Sequence, residues 1–211
     1  MVHRREVHDK PVLFGNHGAL FGNAMTWWDH ETGSVWSQPT GEAILGERTG
    51  ETLELLPSTL TTWSDWRDAH PETLALNVKS STSLFDLDDM AIVVDLGDDS
   101  AGFLVSELRS TPVINTSVNQ VPVAIVLPPG SNEWRVFLRQ IDDEEIELEL
   151  DSDGMLSVVN GTERFDPNRG ISEDDSTRIL GRLPSFTSFP DDYWTFFPNG
   201  RLWNGTGYNE R

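Results

Sequence analysis

Two histidines and an aspartate are the residues whose types best suit metal chemistry in this chain. His17, His30 and Asp29 lie close together in the sequence, and imidazole and carboxylate groups bind zinc, copper or iron. The histidines lack the i, i+4 spacing of a helical metal motif, so the alternative interpretation is that they are turn residues. A transition metal at these residues is kept as an alternative, and no other cofactor is predicted.

Asp29 and Glu31 could also exchange protons with a substrate as a general acid and base. They stand in a turn of a very acidic chain, where solvated carboxylates are expected in any case. The sequence therefore assigns no catalytic residue.

Tryptophan is the second residue type that could form a site. Several tryptophans in the first third of the chain could line an apolar ligand cleft, or could pack in the core. The candidates for ligand binding are Trp27, Trp28, Trp36, Trp63 and Trp66.

The charge balance limits the partners that the protein can have. Asp and Glu number 35 against 15 Lys and Arg, which gives a net charge of −20, and Lys10 and Lys79 are the only lysines. With 20 aromatic residues the chain is too apolar to be disordered, so the pattern is typical of a folded protein of an extreme halophile. Nucleic acid is not expected as a partner, because phosphate binding needs a basic patch.

Other features of the composition exclude further classes of protein. The chain has no cysteine, which removes disulfides and thiolate metal sites, and its apolar runs are too short to span a membrane. No apolar stretch follows Met1, so a signal peptide is not expected. We expect a cytoplasmic protein, or an exported one if the chain is a fragment of a longer precursor.

An internal repeat organises the sequence. Residues 56–71 align without a gap on residues 183–198, and both segments begin with Leu-Pro-Ser and end with Pro. Trp66 and Tyr193 occupy the same place in the two segments. Repetition on this scale predicts two related structural units.

The similarity extends upstream, where residues 2–14 resemble residues 135–148. The second copy has further strand-like segments between residues 90 and 127, whereas the first copy has none because the sequence begins at Met1. We therefore expect a first repeat over 2–76 without its opening strands, a link over 77–89, a complete second repeat over 90–203 and a tail over 204–211.

The alternation of apolar and polar residues predicts a mainly β, β-rich α+β fold. Each repeat is expected to contain antiparallel strands and one short helix, near residues 66–69 and 190–196, with both repeats packed as one compact unit. Residues 20–28 are strand-like and rich in aromatic residues, which favours a strand over this segment.

Several motifs resemble those of the DUF3179 family of bacteria and archaea. The most specific is the run over residues 29–38, and the resemblance covers about residues 4–203. The family is of unknown function, so the resemblance implies no catalytic residues. Its usual Cys-Pro-x-Cys-like motif would lie ahead of Val2 and is missing here. Further motifs are Phe14-Gly15, Gly41-Glu42-Ala43-Ile44, Leu55-Leu56-Pro57, Thr61-Thr62-Trp63, His70-Pro71-Glu72-Thr73, Val113-Ile114-Asn115, Leu183-Pro184 and Phe197-Pro198.

Two functions remain open from the sequence. The first is a non-catalytic binding or accessory subunit, acting through the aromatic cleft or through a sheet edge that the missing strands expose. A protein partner or a second copy of the chain would cover that edge. The second is a metal-dependent enzyme or redox protein using His17, His30 and Asp29.

Overall fold

β-Strands make up most of the structure, as the alternating sequence predicts. A computed structural model describes residues 1–75 and 86–209. Strands contain 40% of the residues and helices 10%, so the mainly β class is confirmed. The predicted link over residues 77–89 falls largely outside the described residues, and its described end forms a short 3-10 helix at Leu87–Asp89.

Residues 1–75, the N-terminal half, contain six strands and one helix. The first two strands pair as a hairpin, and the other four form an antiparallel sheet in chain order. The elements are β1 (Glu6–Val7), β2 (Lys10–Pro11), β3 (Phe14–Phe21), β4 (Ala24–Asp29), β5 (Val35–Ser37), β6 (Ala43–Leu45) and α1 (Trp63–Ala69).

The hairpin of β3 and β4 corrects one expectation from the sequence. The single strand expected over residues 20–28 is wrong, because the chain reverses at Gly22 and Asn23, where φ is 53° and 64°. Glycine and asparagine reach this left-handed region with less strain than other residues. Close packing also favours glycine at position 22, because a Cβ there would lie only 2.8 Å from the Thr195 side chain.

The core of the N-terminal half is small and centred on Trp36. This side chain is fully buried from β5 and packs with Val7, Val12, Ala43 and Leu53. A cluster of this size buries little apolar area, so the half depends on contacts with the rest of the protein.

Helix α1 is a short element at the end of the N-terminal half. Its seven residues are too few to be stable as an isolated helix in water, so packing must contribute. The helix ends before His70 because Pro71 has no backbone N–H and disfavours helical geometry in the residue before it.

Residues 86–209, the C-terminal half, contain thirteen strands and two helices besides the 3-10 turn. The elements are β7 (Ala91–Asp95), β8 (Ser100–Leu104), α2 (Val105–Leu108), β9 (Val113–Val118), β10 (Val121–Val126), β11 (Arg135–Leu138), β12 (Gln140–Ile141), β13 (Glu144–Glu145), β14 (Leu148–Leu150), β15 (Leu156–Val158), β16 (Arg164–Phe165), β17 (Phe186–Ser188), α3 (Pro190–Phe196), β18 (Arg201–Trp203) and β19 (Tyr208–Asn209).

The largest sheet of the C-terminal half has the strand order β17-β7-β8-β18-β19. β18 runs parallel to β8, whereas β7 pairs antiparallel with both β8 and β17. One face of β7 and β8 packs through Ile92 and Phe103 against the sheet of β9, β10 and β11. The opposite face contacts helix α3. Helix α3 packs on this sheet through one buried cluster, made of Ala91, Val93, Phe186, Tyr193 and Leu202.

Negative charge dominates the surface. Arg164 alone contacts three carboxylates, those of Asp151, Asp153 and Glu173, at 2.8–3.0 Å. Exposed ion pairs contribute about 0–1 kcal/mol each. With 35 acidic against 15 basic residues, such pairs cannot offset the repulsion among the remaining carboxylates.

We expect the melting temperature, Tm, to rise by about 5 °C when KCl is raised from 0.1 M to 1 M. The Debye length falls from about 10 Å to about 3 Å over this range, so repulsion among carboxylates is screened more than contact pairs are. A gain of about 1–2 kcal/mol corresponds to that shift in a chain of this size. Scanning calorimetry measures it, with sucrose as the uncharged control, and an unchanged or lower Tm in KCl would contradict the prediction.

Candidate interaction surface

Asp29, the carboxylate of the predicted metal site, is fully buried at the end of β4. Its Oδ1 accepts hydrogen bonds from the N–H groups of Thr32 (2.7 Å) and Glu31 (3.1 Å). Its Oδ2 accepts one from Trp36 Nε1 (3.0 Å), and the Thr32 hydroxyl donates to the carboxylate at 2.9 Å. The carboxylate therefore ties the turn after β4 to the core.

These donors keep Asp29 ionised. Burial by itself would raise the pKa of this carboxyl, but the hydrogen bonds from Thr32 and Trp36 and the charge of Arg48 outweigh it. The net result is a pKa below the ordinary value. The charge is satisfied by the protein's own groups, which gives Asp29 a structural role.

The two histidines of the predicted metal site make separate local contacts. His17 is exposed, and its Nδ1 lies 3.1 Å from Thr26 Oγ1. The His30 ring stacks on Trp28 with the ring centroids 4.2 Å apart. Within residues 1–75 and 86–209, no group of three or more His, Cys, Asp or Glu side chains is placed to hold a metal ion. The metal site stays a prediction from the sequence alone.

The tryptophans of β4 and β5 pack inside the N-terminal half. Trp27 and Trp36 both contact Phe14, with ring centroids 6.3 Å and 5.5 Å away. Trp28 covers the His30 ring instead. These three tryptophans therefore contribute to packing around the small core.

The two tryptophans of α1 face solvent. Trp63 is 49% exposed and Trp66 is 41% exposed, although Trp66 Nε1 donates to Thr73 Oγ1 (3.1 Å) and its ring lies 4.0 Å from His70. Two leucines near the ends of the helix are also exposed, Leu60 at 51% and Leu74 at 95%. We call this set the open face: Leu60, Trp63, Trp66 and Leu74.

Each half contains a hairpin of the same geometry. The turn residues 8–9 and 142–143 all have φ between 50° and 65°, the left-handed values of a type I′ turn. The turns join β1 to β2 and β12 to β13. Matching backbone hydrogen bonds close the hairpins, from the N–H of Val12 to Arg5 and from the N–H of Ile146 to Arg139.

The segment before each hairpin pairs with the segment before each Leu-Pro-Ser motif. In the N-terminal half, Arg4 N–H donates to the Glu54 carbonyl and Leu56 N–H donates to the Val2 carbonyl, both at 2.8 Å. The corresponding bonds in the C-terminal half run from Leu138 to Gly181 (2.7 Å) and from Leu183 to Val136 (2.9 Å).

Helices α1 and α3 also match. Each has seven residues, and the backbone N–H of Trp66 bonds to Thr62 as that of Tyr193 bonds to Phe189. Trp66 and Tyr193 therefore occupy the same position on the two helices. This is the local geometry that an internal repeat would produce.

The halves differ in what covers this helix. Tyr193 is fully buried against β7 and β8, and β17 pairs with β7. Residues 59–61 correspond to β17, yet they make no backbone hydrogen bond to another described strand. Trp66, at the place of Tyr193, is 41% exposed.

Residues 1–4 also lack, among the described strands, a neighbouring strand that the matching segment of the C-terminal half has. In the C-terminal half, β11 pairs with β10, and the Asn115 side chain of β9 makes two hydrogen bonds (2.8 and 3.0 Å) to the Leu148 backbone of β14. Residues 1–4 correspond to β11, and they pair with described residues on one side only. β3 corresponds to β14 and is an edge strand.

A groove of about 1080 Å³ adjoins the open face. It lies between Leu60 and Thr61 of the N-terminal half and Leu87, Met90 and Thr187 of the C-terminal half. Leu60 belongs to both features, so the groove and the open face form one continuous surface.

His3 is a partly buried titratable residue that the sequence did not single out. Its ring packs edge-on against Trp27 (centroids 5.6 Å apart), and its buried Nδ1 has no hydrogen-bond partner among the residues that the structure describes. Burial, and to a smaller extent the charge of the N-terminus, lower the pKa of His3 to about 4. Phe137 occupies the corresponding place in the C-terminal half.

We expect His3→Phe to reduce the amount by which the free energy of unfolding falls between pH 6.5 and pH 4. In this range the unfolded histidine binds a proton that the folded one excludes, so the free energy of unfolding falls as the pH falls. Urea titrations at several pH values measure the slope. The control is His8→Asn, which removes a histidine whose side chain is 80% exposed; an equal effect of both variants would contradict the prediction.

The fold and this surface define a mainly β protein with an uncovered helix face in its N-terminal half. Residues 1–88 match the model of a family described as protein of unknown function (DUF3179), so the predicted resemblance is confirmed over this segment. Comparison with curated proteins and with solved structures gave no match. No helix in the described part of the chain is long and apolar enough to cross a membrane.

Sequence reasoning selected two of the four residues of the open face and missed Leu60 and Leu74. The signal that could have found them is the repeat alignment. It places Leu60 on Thr187 of β17 and Leu74 on Arg201 of β18, both of which line the sheet that α3 covers. Residues aligned with such positions become exposed if the covering strands are missing.

Proposed function

We propose that this chain is a non-catalytic binding or accessory subunit and that a protein partner docks on the open face. The observation that carries the proposal is the contrast between Trp66, 41% exposed, and Tyr193, fully buried at the same position of α3. Grouped exposed apolar side chains mark interaction sites, and tryptophan is a frequent anchor in such sites.

The proposal treats the two halves as repeats, and among the described residues no strands cover α1 as β7 and β8 cover α3. The matching hairpins, strand pairs and helices support this interpretation. An uncovered strand edge and apolar helix face favour association with another polypeptide.

The charge of the chain restricts the partner further. At a net charge of −20, the chain would repel nucleic acid, which favours a protein as the partner. We propose that the two meet in concentrated salt, where repulsion is screened and apolar contacts dominate.

The test uses open-face variants and a matched control. The tagged chain is incubated in molar KCl with extract from a halophilic host, and bound proteins are identified and then purified. Trp66→Asp is expected to weaken binding of the purified partner at least about 30-fold, as loss of an anchor residue does. Ile179→Asp is the control, because Ile179 is 57% exposed in the C-terminal half.

Light scattering after size exclusion completes the test. A partner complex, or a dimer, that is lost in Trp66→Asp and kept in Ile179→Asp supports the proposal. A chain that stays at 23.7 kDa and retains no protein sensitive to Trp66→Asp would overturn it.

A further inference from the structure

We infer that the partner of the open face is a pair of antiparallel apolar strands donated by another polypeptide chain. This inference rests on the proposed function and specifies the partner's structure. The partner would take, in the N-terminal half, the place that β7 and β8 take in the C-terminal half. The C-terminal half shows what covers this arrangement of helix and strand: β7 and β8 pack on α3 and β17.

The strands that cover α3 have small side chains on the helix face. Ala91 and Val93 of β7 are fully buried against Tyr193. Gly102 of β8 is equally close, since a Cβ there would lie 2.8 Å from Leu202 Cδ1 and 3.6 Å from the Tyr193 ring. Trp66 is larger than Tyr193, so the donated strands need glycine, alanine or valine at the positions that face it.

Backbone hydrogen bonds would fix the register of the donated strands. β17 pairs with β7 at Phe186, Thr187 and Ser188. The corresponding residues 59–61 leave their backbone N–H and C=O groups without such a partner among the described strands. Adding a strand to an edge of this kind supplies main-chain hydrogen bonds, while pockets for alternate side chains supply specificity.

A second copy of this chain is a poor donor. Its own β7 is fully buried at Ala91, Ile92, Val93 and Val94, between α3 and the sheet of β9 to β11. Donating it would disrupt the core of the C-terminal half, which costs far more than an exposed face gains. A different chain with unpaired apolar strands does not face this cost.

A fusion protein tests the inference directly. A second copy of residues 86–134 is placed immediately before Met1. In the C-terminal half these residues lead directly into β11, and Met1 aligns with the first residue of β11. Met90→Leu in the added copy gives its peptides a distinct mass. The readout is hydrogen exchange of backbone amides over residues 59–69, measured by mass spectrometry. The control fusion carries Ala91→Asp and Val93→Asp in the added copy only.

We expect exchange over residues 59–69 to slow by about tenfold or more in the fusion, and the control fusion to behave like the unfused chain. Tryptophan emission should shift to shorter wavelength as Trp63 and Trp66 are covered. Unchanged exchange at residues 59–69, or an added copy that remains unprotected, would overturn the inference. A dimer of the unfused chain in which residues 59–69 are protected would assign the face to a second copy and would also overturn it.

The two proposals fail in distinguishable ways. If a purified partner binds through Trp66 but the fusion has no effect, the partner does not dock as strands and only the inference fails. If the fusion protects residues 59–69 but no protein binds through Trp66, the open face does accept strands, and only the proposed function fails.

Discussion

We expect Tyr193→Ala to lower the free energy of unfolding by about 4 kcal/mol, within the usual range for removing a large buried aromatic side chain. The ring is fully buried between α3 and the sheet, and the hydroxyl lies 3.1 Å from the Ser100 carbonyl and 3.0 Å from the Arg201 carbonyl. The substitution leaves a cavity next to Ala91 and Val93 and removes a donor from buried carbonyls. Urea denaturation followed by circular dichroism measures the loss.

Trp66→Ala is the matched control, because Trp66 occupies the same helix position but is 41% exposed. We expect it to cost less than about 1 kcal/mol in the isolated chain. Tyr193→Phe separates the hydroxyl from the ring and should cost about 1 kcal/mol. Equal losses for Trp66→Ala and Tyr193→Ala would contradict the conclusion that the two helices are covered differently.

Asp29→Ala is expected to destabilise the protein by about 3 kcal/mol. The substitution removes the acceptor for four donors, the N–H groups of Glu31 and Thr32, the Thr32 hydroxyl and the buried Trp36 Nε1. Buried donors that lose their acceptor carry the full desolvation penalty. Thermal and urea unfolding measure the change.

Asp166→Ala provides the comparison for this prediction. Asp166 accepts hydrogen bonds from the N–H groups of Asn168 and Arg169 in a turn of similar form, but these bonds are exposed. Water can replace the lost acceptor, so the expected cost is about 1 kcal/mol. A loss in Asp29→Ala no larger than in Asp166→Ala would show that burial of the carboxylate is unimportant.

The charge of Asp29 also gives a pH dependence with a defined sign. Its pKa is lowered in the folded state, so its contribution to stability is present above the unfolded value near 3.8 and is lost as the pH falls through the lower folded value. The difference in stability between the wild type and Asp29→Asn should therefore be constant above about pH 5 and should shrink below pH 3.8. A difference that stays constant as the pH falls from 5 to 2 would contradict this.

Local patterns in the sequence predicted much of the fold. Alternating apolar residues predicted the mainly β class, and the position of Pro71 predicted the end of α1. The repeat alignment placed Trp66 on Tyr193, and their helices have the same hydrogen bonds. The turn at Gly22 and Asn23 was missed because apolar residues typical of strands lie on both sides of it.

The candidate site was less predictable. His17, His30 and Asp29 are near neighbours in the chain. In the structure, however, Asp29 accepts hydrogen bonds from the backbone and from a tryptophan, and the His30 ring stacks on Trp28. Proximity in sequence does not determine where side chains of a turn and its flanking strands point, because each is directed by its own hydrogen bonds and packing.

The sequence by itself determined the β-rich class, the acidic surface, the absence of thiol chemistry and the similarity between the two helical segments. Only the tertiary structure decided that Tyr193 is covered and Trp66 is not. The two residues are aromatic and stand on equivalent short helices, so no local signal separates them. Their difference arises from strands far away in the chain, β7 and β8, which pack on one helix and have no described counterpart on the other.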